Sequence, residues 1–186
     1  MNNIVALVLT YNRLELLKEA IEALLVQTSP CDILVVDNAS TDGTKDMVMT
    51  YVNMYNRVQY VNTGANLGGA GGFAFGIKEC VKQGYEYIWL MDDDTIPYSS
   101  ALEELVIAKN DLKGEFGFLS SLVEWTDGNM CEMNKPLVLD EWWNYGAQIS
   151  KGRIAIKKGS FVSFFISTKI VKEVGLPIKE FFIWFD

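Results

Sequence analysis

The chain has 186 residues and a net charge of −8, with 49% hydrophobic and 22% charged residues. That length predicts one domain with a sizeable core, and the acidity excludes the basic footprint of a nucleic-acid binder. His is absent, which excludes any His-dependent triad; a phosphorylated ligand would have to bring its own cation to so acidic a chain. Cys31, Cys80 and Cys131 lack any Cys-x-x-Cys pairing, a pattern of reduced thiols rather than of a disulfide framework or zinc site.

In chain order, Ile4 to Leu9 is a continuous apolar run, predicting a strand buried on both faces. It lacks the basic leader of a signal peptide, and no segment approaches the length of a membrane span. The expected location is therefore cytoplasmic, with peripheral work at the inner face of a membrane left open. Leu14, Leu17, Ile21, Leu24 and Leu25 follow helical spacing. Ile33 to Val36 predicts a second strand ending at Asp37, and Asn38 to Thr44 is dense in turn and cap residues ahead of a helix bearing Met47, Val48, Tyr51 and Val52. Val58 to Val61 predicts a third strand. A Gly-rich segment from Gly64 to Gly76 then leads into a helix ending near Gln83, followed by a strand over Tyr85 to Met91. This alternation predicts an α/β fold, a Rossmann-like and mainly parallel sheet flanked by helices. Ligands on such sheets bind at the carboxyl ends of the strands, where Asn12, Asp37, Asn66 and Asp92 fall.

Asp92-Asp93-Asp94 follows directly on the apolar run Ile88 to Met91. Like charges this close raise one another's pKa unless a cation sits among them. In an extended chain Asp92 and Asp94 share a face and Asp93 points away. Two hard oxygen ligands on one face suit Mg or Mn, which bind through one or two carboxylates plus substrate phosphates. A solvated acidic turn before Pro97 is the plainer alternative.

Beyond Pro97 the pattern changes. Ser99-Ser100 predicts a cap for a helix carrying Leu102, Leu105 and Val106, and Phe116 to Val123 predicts a strand. Residues 124 to 150 are aromatic and irregular. Trp125, Trp142 and Trp143 fit core or lid packing better than a sugar platform. Lys151, Arg153, Lys157 and Lys158 have no acidic neighbour in sequence; a solvated hairpin is expected there, with an anionic acceptor or lipid headgroup as the sharper alternative.

Thr10-Tyr11-Asn12-Arg13, Val36-Asp37-Asn38-Ala39-Ser40-Thr41-Asp42-Gly43-Thr44, Asn66-Leu67-Gly68-Gly69-Ala70-Gly71-Gly72 and Asp92-Asp93-Asp94 together resemble family 2 glycosyltransferases. The resemblance runs from residue 4 to the last residue and is strongest to the galactofuranosyltransferase and rhamnosyltransferase branch. It implies a GT-A fold and inverting transfer of a sugar from a UDP- or dTDP-sugar donor, with Mn or Mg, to a saccharide or lipid-linked acceptor in cell-surface polysaccharide synthesis. Carried over position by position, Thr10, Tyr11 and Arg13 would border base and phosphates, and Asp37 would accept hydrogen bonds from base or ribose. Asn66, Gly68 and Gly69 would line the nucleotide and sugar pocket. Asp92 and Asp94 would hold the metal, with Asp92 also at the nucleotide, and Asp93 would bond the donor sugar. For Asp37 and Asn66, turn and cap duty is the alternative. Residues 1–97 would form the nucleotide-sugar half of one domain, and 98–186 the start of the acceptor half.

Phe181 to Asp186 resembles the lead-in to the family's acidic motif, which supplies the general base. The chain ends at that motif's first carboxylate, so the resemblance implies a fragment in which Asp186 is part of the base or adjacent to it. Three other classes stay open. A nucleotide-sugar-binding subunit without turnover would share every motif. A dinucleotide-dependent oxidoreductase is suggested by Gly69-x-Gly71-x-x-Ala74, although that fingerprint belongs immediately after a strand. A sugar-phosphate nucleotidyltransferase would need a basic Gly-rich loop after the first strand, and none is present.

Overall fold

Val5, Ala6, Leu7 and Val8 are wholly buried, as a strand with both faces covered requires. In the computed structural model of the chain, which describes residues 3–182, they lie in β1 (Ile4–Thr10) near the centre of a six-stranded sheet. α1 (Leu14–Leu25), β2 (Asp32–Asp37), α2 (Thr44–Met54), β3 (Val58–Asn62), α3 (Gly68–Lys82) and β4 (Tyr87–Asp92) then alternate as predicted. β1 pairs in parallel with β2 and β4, and β2 with β3. Beyond α4 (Ala101–Asp111) the chain adds β5 (Leu119–Ser120), the outlying pair β6 (Leu137–Val138) and β7 (Ile156–Lys158) with α5 (Gly146–Ile149) between them, then β8 (Phe164–Ser167) and α6 (Thr168–Val174). β8 pairs antiparallel with β4 and β5, giving the order β3-β2-β1-β4-β8-β5.

Alternate residues of the central strands feed two cores. Ala6, Val8, Ile33, Val35, Trp89 and Met91 meet Leu17, Ile21 and Leu24 of α1, Val48 of α2 and Leu102 of α4. Val5, Leu7, Leu34, Val36, Ile88 and Leu90 meet Phe73 and Ile77 of α3 and Val171 of α6 on the other face. The result is a three-layer α/β/α sandwich.

Three expectations change. The sequence predicts a helix only after the Gly-rich segment from Gly64 to Gly76, but α3 starts at Gly68 and takes in five glycines. Sheet packing overrides their poor helix propensity: a Cβ on Gly72 would lie 2.9 Å from Asn38 Nδ2, and one on Gly76 would lie 2.6 Å from Leu7 Cδ1. The strand expected over Phe116 to Val123 shrinks to two paired residues, because Leu119 and Ser120 meet only the short β8. Ser100 stands at the α4 N-cap without a side-chain capping bond. Gln27 Oε1 accepts the Leu102 N–H instead, at 3.1 Å.

Asp42 ties two helix starts together. Its Oδ1 accepts from Thr44 Oγ1 at 2.6 Å and Thr44 N at 3.1 Å, and its Oδ2 accepts from Leu14 N at 3.1 Å. Burial works against its ionisation, but the donations from Thr44 and Leu14 outweigh it and hold the carboxyl below its ordinary 3.8. A depressed carboxyl stabilises the fold above its unfolded value, and the contribution disappears as pH falls through the folded one. Asp42→Ala is expected to cost about 1 kcal/mol at neutral pH, the usual worth of a cap. Urea unfolding of both proteins would show the gap closing in acid, below pH 3.8.

Candidate functional site

The carboxyl ends of β1, β2 and β4 converge, and their loops are stitched to one another before any ligand enters. Asn38 N donates to Thr10 O at 2.9 Å. Asn12, held at φ 54, donates its N–H to Ser40 Oγ at 2.9 Å, and its Oδ1 accepts from Thr41 N at 2.7 Å. The Thr-Tyr-Asn-Arg segment and the Asp-Asn-Ala-Ser-Thr-Asp-Gly-Thr segment are thus two halves of one joint. Tyr11 remains exposed at its rim.

Asp37 is completely buried. Its Oδ1 accepts from Ser40 N at 2.8 Å, and its Oδ2 accepts from Tyr60 OH at 2.6 Å and Asn62 Nδ2 at 3.3 Å. Burial, followed by the Asp37 carboxylate, pushes the Tyr60 hydroxyl up to about 12, so it stays a donor. The turn-and-cap alternative therefore describes what Asp37 does in the free chain. Asn66 likewise makes a local turn, its Oδ1 accepting from Gly68 N at 2.9 Å.

The acidic triplet does not stay extended. Thr95 N donates to Asp92 O at 3.2 Å, closing a turn at the end of β4. Asp93 swings inward to 3% exposure, accepting from Thr10 Oγ1 at 2.7 Å and lying 3.4 Å from Arg13 Nη1. Asp94 stays outside, 2.7 Å from the same Arg13 nitrogen. Burial raises the Asp93 carboxyl above its ordinary value, against the pull of Thr10 and Arg13, and Asp94 adds to the rise. The cation that three adjacent carboxylates demand is supplied by Arg13.

One residue of this site carried no signal strong enough to single it out in the sequence. Asn38, 3% exposed, donates from Nδ2 to Gly68 O at 2.9 Å. That bond fixes the amide's orientation and leaves Oδ1 a buried acceptor without a partner among the described residues. Such an atom costs about 1–3 kcal/mol, and here it lies between the end of β2 and the first turn of α3. In sequence Asn38 was indistinguishable from the turn residues around it.

The first turn of α3 also meets the end of the described chain. Ala70 N donates to Phe182 O at 3.3 Å, and Gly68, at φ 71, leaves room for the Phe182 backbone where a Cβ would collide. Residues 1–97 and the later segment thus meet at Gly68. Asp186, the expected base residue, lies outside the described residues.

Among the described residues no group of three or more His, Cys, Asp or Glu side chains could hold a metal alone. Asp92 and Asp94 are hard oxygen donors of the type that Mg or Mn takes, one or two carboxylates with the shell completed by phosphates and water. Two shallow depressions of ≈ 240 and ≈ 290 Å³ sit beside Tyr87, at the opposite end of β4, and have no part in this chemistry. The Rossmann-like glycines lie inside α3, not at a strand-to-helix turn. The basic hairpin has acidic partners distant in sequence: Lys151 and Arg153 both lie 2.8 Å from Asp111, and Lys157 lies 2.9 Å from Asp140. Trp125, Trp142 and Trp143 are exposed, not core; Trp89 fills the core, its indole N–H donating to Ser163 Oγ at 3.0 Å.

The profile of glycosyl transferase family 2 matches residues 6–113, which is more than half of the chain and includes all four motifs. The chain belongs to glycosyl transferase family 2. Among curated proteins, this family 2 chain is 37% identical over 93 residues to galactofuranosyltransferase GlfT1 of Mycolicibacterium smegmatis, a stretch covering 50% of the chain and 30% of that protein. The Mycobacterium tuberculosis GlfT1 is 36% identical over 95 residues, again 30% of its length. The chain thus aligns with less than a third of these curated relatives. Among solved structures, the mannosyltransferase PcManGT of Pyrobaculum calidifontis, in complex with GDP-Man and Mn2+, has a TM-score of 0.67 at 20% identity over 94% of this chain and 47% of its own. These relationships give the family 2 chain the GT-A fold, with a relation to the galactofuranosyltransferase branch. No described helix is long and apolar enough to cross a membrane.

Proposed function

We propose that the chain binds a UDP- or dTDP-sugar at the joined carboxyl ends of β1, β2 and β4, as the donor half of an inverting glycosyltransferase. The acceptor is a saccharide or lipid-linked saccharide destined for a cell-surface polymer, and the work is cytoplasmic, at or near a membrane surface. The observation that carries the reading is the orphaned Asn38 Oδ1. Uracil and thymine both present an imide N–H that this atom would accept once the first turn of α3 shifts to admit the base, because the atom is closed to solvent in the free chain, and the bond would recover the cost of leaving it unpaired. Tyr11 at the rim and the wall formed by Asp37, Tyr60 and Asn62 would enclose base and ribose. Asn66, Gly68 and Gly69 would face the diphosphate and sugar, where missing side chains admit the ligand to backbone N–H groups. Asp93, committed to Thr10 and Arg13, would anchor the turn and reach the sugar only by exchanging one of them. PcManGT was solved with a nucleotide sugar and Mn2+, which supports donor and metal together.

When bound by Asp92, Asp94 and the diphosphate, Mn or Mg would neutralise charge on the leaving group. Inversion also needs a carboxylate to take the acceptor's proton; Asp186 belongs to that motif, or stands next to it.

Calorimetric titration with UDP, dTDP and GDP, in Mn and then in EDTA, tests the reading. Binding of a uracil or thymine nucleotide that vanishes with EDTA is expected. Asn38→Ala is expected to weaken it about tenfold, equivalent to one neutral hydrogen bond. A folded wild-type chain that binds no nucleotide in Mn would sink the proposal.

A further inference from the structure

Arg13 occupies a position that the binding chemistry cannot leave undisturbed. Its Nη1 lies 2.7 Å from Asp94 Oδ2 and 3.4 Å from Asp93 Oδ1. The two contacts differ in kind: the Asp93 side chain is 5% exposed, that of Asp94 is 50% exposed and that of Arg13 is 52% exposed. The Asp93 end of the bridge is sheltered, and the Asp94 end is bathed in solvent and readily exchanged. The Arg13 backbone is fixed as the residue before α1, its carbonyl accepting from Leu17 N at 3.0 Å. Any movement is therefore confined to the long side chain.

We propose that Arg13 is a built-in counter-cation that keeps divalent metal off Asp94 until a diphosphate arrives, so that metal and nucleotide bind as one unit. This rests on the donor-site reading above. A divalent ion and a guanidinium on the same carboxylate repel, so loading Asp94 displaces Arg13. Withdrawing the guanidinium without a new anion would leave it with Asp93 alone, beside the arriving ion. The diphosphate is that anion, and a guanidinium pairs with two phosphate oxygens as readily as with a carboxylate. Asp93 then acts as the pivot that keeps the side chain at the site throughout. Because the coupling is thermodynamic, it is reciprocal: nucleotide tightens metal by the factor by which metal tightens nucleotide.

The signature is a pair of effects of opposite sign. In Arg13→Gln the chain is expected to bind Mn without nucleotide about fivefold more tightly, while the enhancement given by UDP falls by a similar factor from about tenfold and keeps the part that comes from the diphosphate ligating the ion directly. The loss of free Mn2+ signal in electron paramagnetic resonance, titrated with and without UDP, measures both numbers and needs no turnover. Arg13→Lys keeps the charge but spans both carboxylates poorly, and should fall between the two. In the wild-type chain, the 15N guanidinium resonance of Arg13 should move when Mg and UDP are added together and stay in place with Mg alone, with Arg57 and Arg153 as references.

Unchanged or weaker Mn binding by folded Arg13→Gln, with the UDP enhancement intact, would overturn the counter-cation role and leave the donor site standing. An Arg13 resonance that stays in place with Mg and UDP, while binding is seen calorimetrically, would do the same without any variant. Failure of the wild-type chain to bind Mn and UDP together would overturn both.

Discussion

Asp92→Ala combined with Asp94→Ala is expected to lower the affinity for nucleotide in Mn by about 100-fold or more, close to 2.7 kcal/mol. Both hard ligands leave, and the diphosphate then meets the acidic end of β4 with only Arg13 to offset the repulsion. The bond between Asp94 and Arg13 is lost, but the turn keeps its buried anchor. Asp93, which anchors the turn through Thr10 and Arg13, is untouched, and removing its acidic neighbours relieves the rise that Asp94 adds to that already imposed by burial. The expected result is therefore a protein that still folds and shows no metal-dependent nucleotide binding. Calorimetry and thermal unfolding on the same sample would check both halves. Retention of EDTA-sensitive binding would place the ion elsewhere.

Gly76→Val is expected to be the most damaging single substitution for stability. A Cβ there would stand 2.6 Å from Leu7 Cδ1 and 2.7 Å from Val36 Cγ2. Both neighbours are wholly buried, and Val36 is β-branched with little rotamer freedom. Overpacking costs about 1–3 kcal/mol for extra methylenes in a filled core and sometimes more. Three added carbons at this contact should reach or exceed 3 kcal/mol, a large part of the ~5–15 kcal/mol available to a domain. Gly76→Ala should cost less, since alanine returns about 1 kcal/mol of helix propensity. Gly117, which has nothing within 4 Å of an added Cβ, is the control: Gly117→Ala should be nearly neutral. Urea midpoints for the three variants would rank them, and a stable Gly76→Val would show that α3 can lift from the sheet at little cost.

Much of the architecture was legible because the first half of the chain obeys local rules. Ile4 to Leu9, Ile33 to Val36 and the run ending at Met91 are apolar at every position, as strands buried on both faces must be. Leu17, Ile21 and Leu24 mark the buried face of α1. Legibility failed where tertiary contact outvotes propensity. Nothing local marks Gly68 to Gly76 as helical; the reason they coil is the proximity of Leu7, Leu9 and Val36 on strands far away in sequence. The partners of the basic residues were hidden for the same reason, because Asp111 and Asp140 become neighbours only after folding.

The site divides in a similar way. The acidic triplet was visible because three adjacent carboxylates are costly without a reason to be there. Its conformation was not, since alternation holds only while the strand lasts and the chain turns at Asp93. In sequence Asp37 and Asn66 carry two readings, and in the free chain both serve turns. Asn38 could not be separated from its neighbours by type or spacing. What singles it out is a missing hydrogen bond, and an absence of that kind exists only in three dimensions.

The glycines of α3 have a consequence for the order in which the molecule assembles. A helix with glycine at positions 68, 69, 71, 72 and 76 gives up about 1 kcal/mol at each relative to alanine, and so has little tendency to coil in an isolated chain. It can persist only against a sheet that already presents Leu7, Leu9 and Val36. The expected order is parallel pairing of β1 with β2 and β4 first, with α3 condensing onto it afterwards. The same dependence acts in reverse in the native protein. Amide hydrogens in the first turns of α3 should exchange sooner than those of β1, and a ligand seated at Gly68 would slow them.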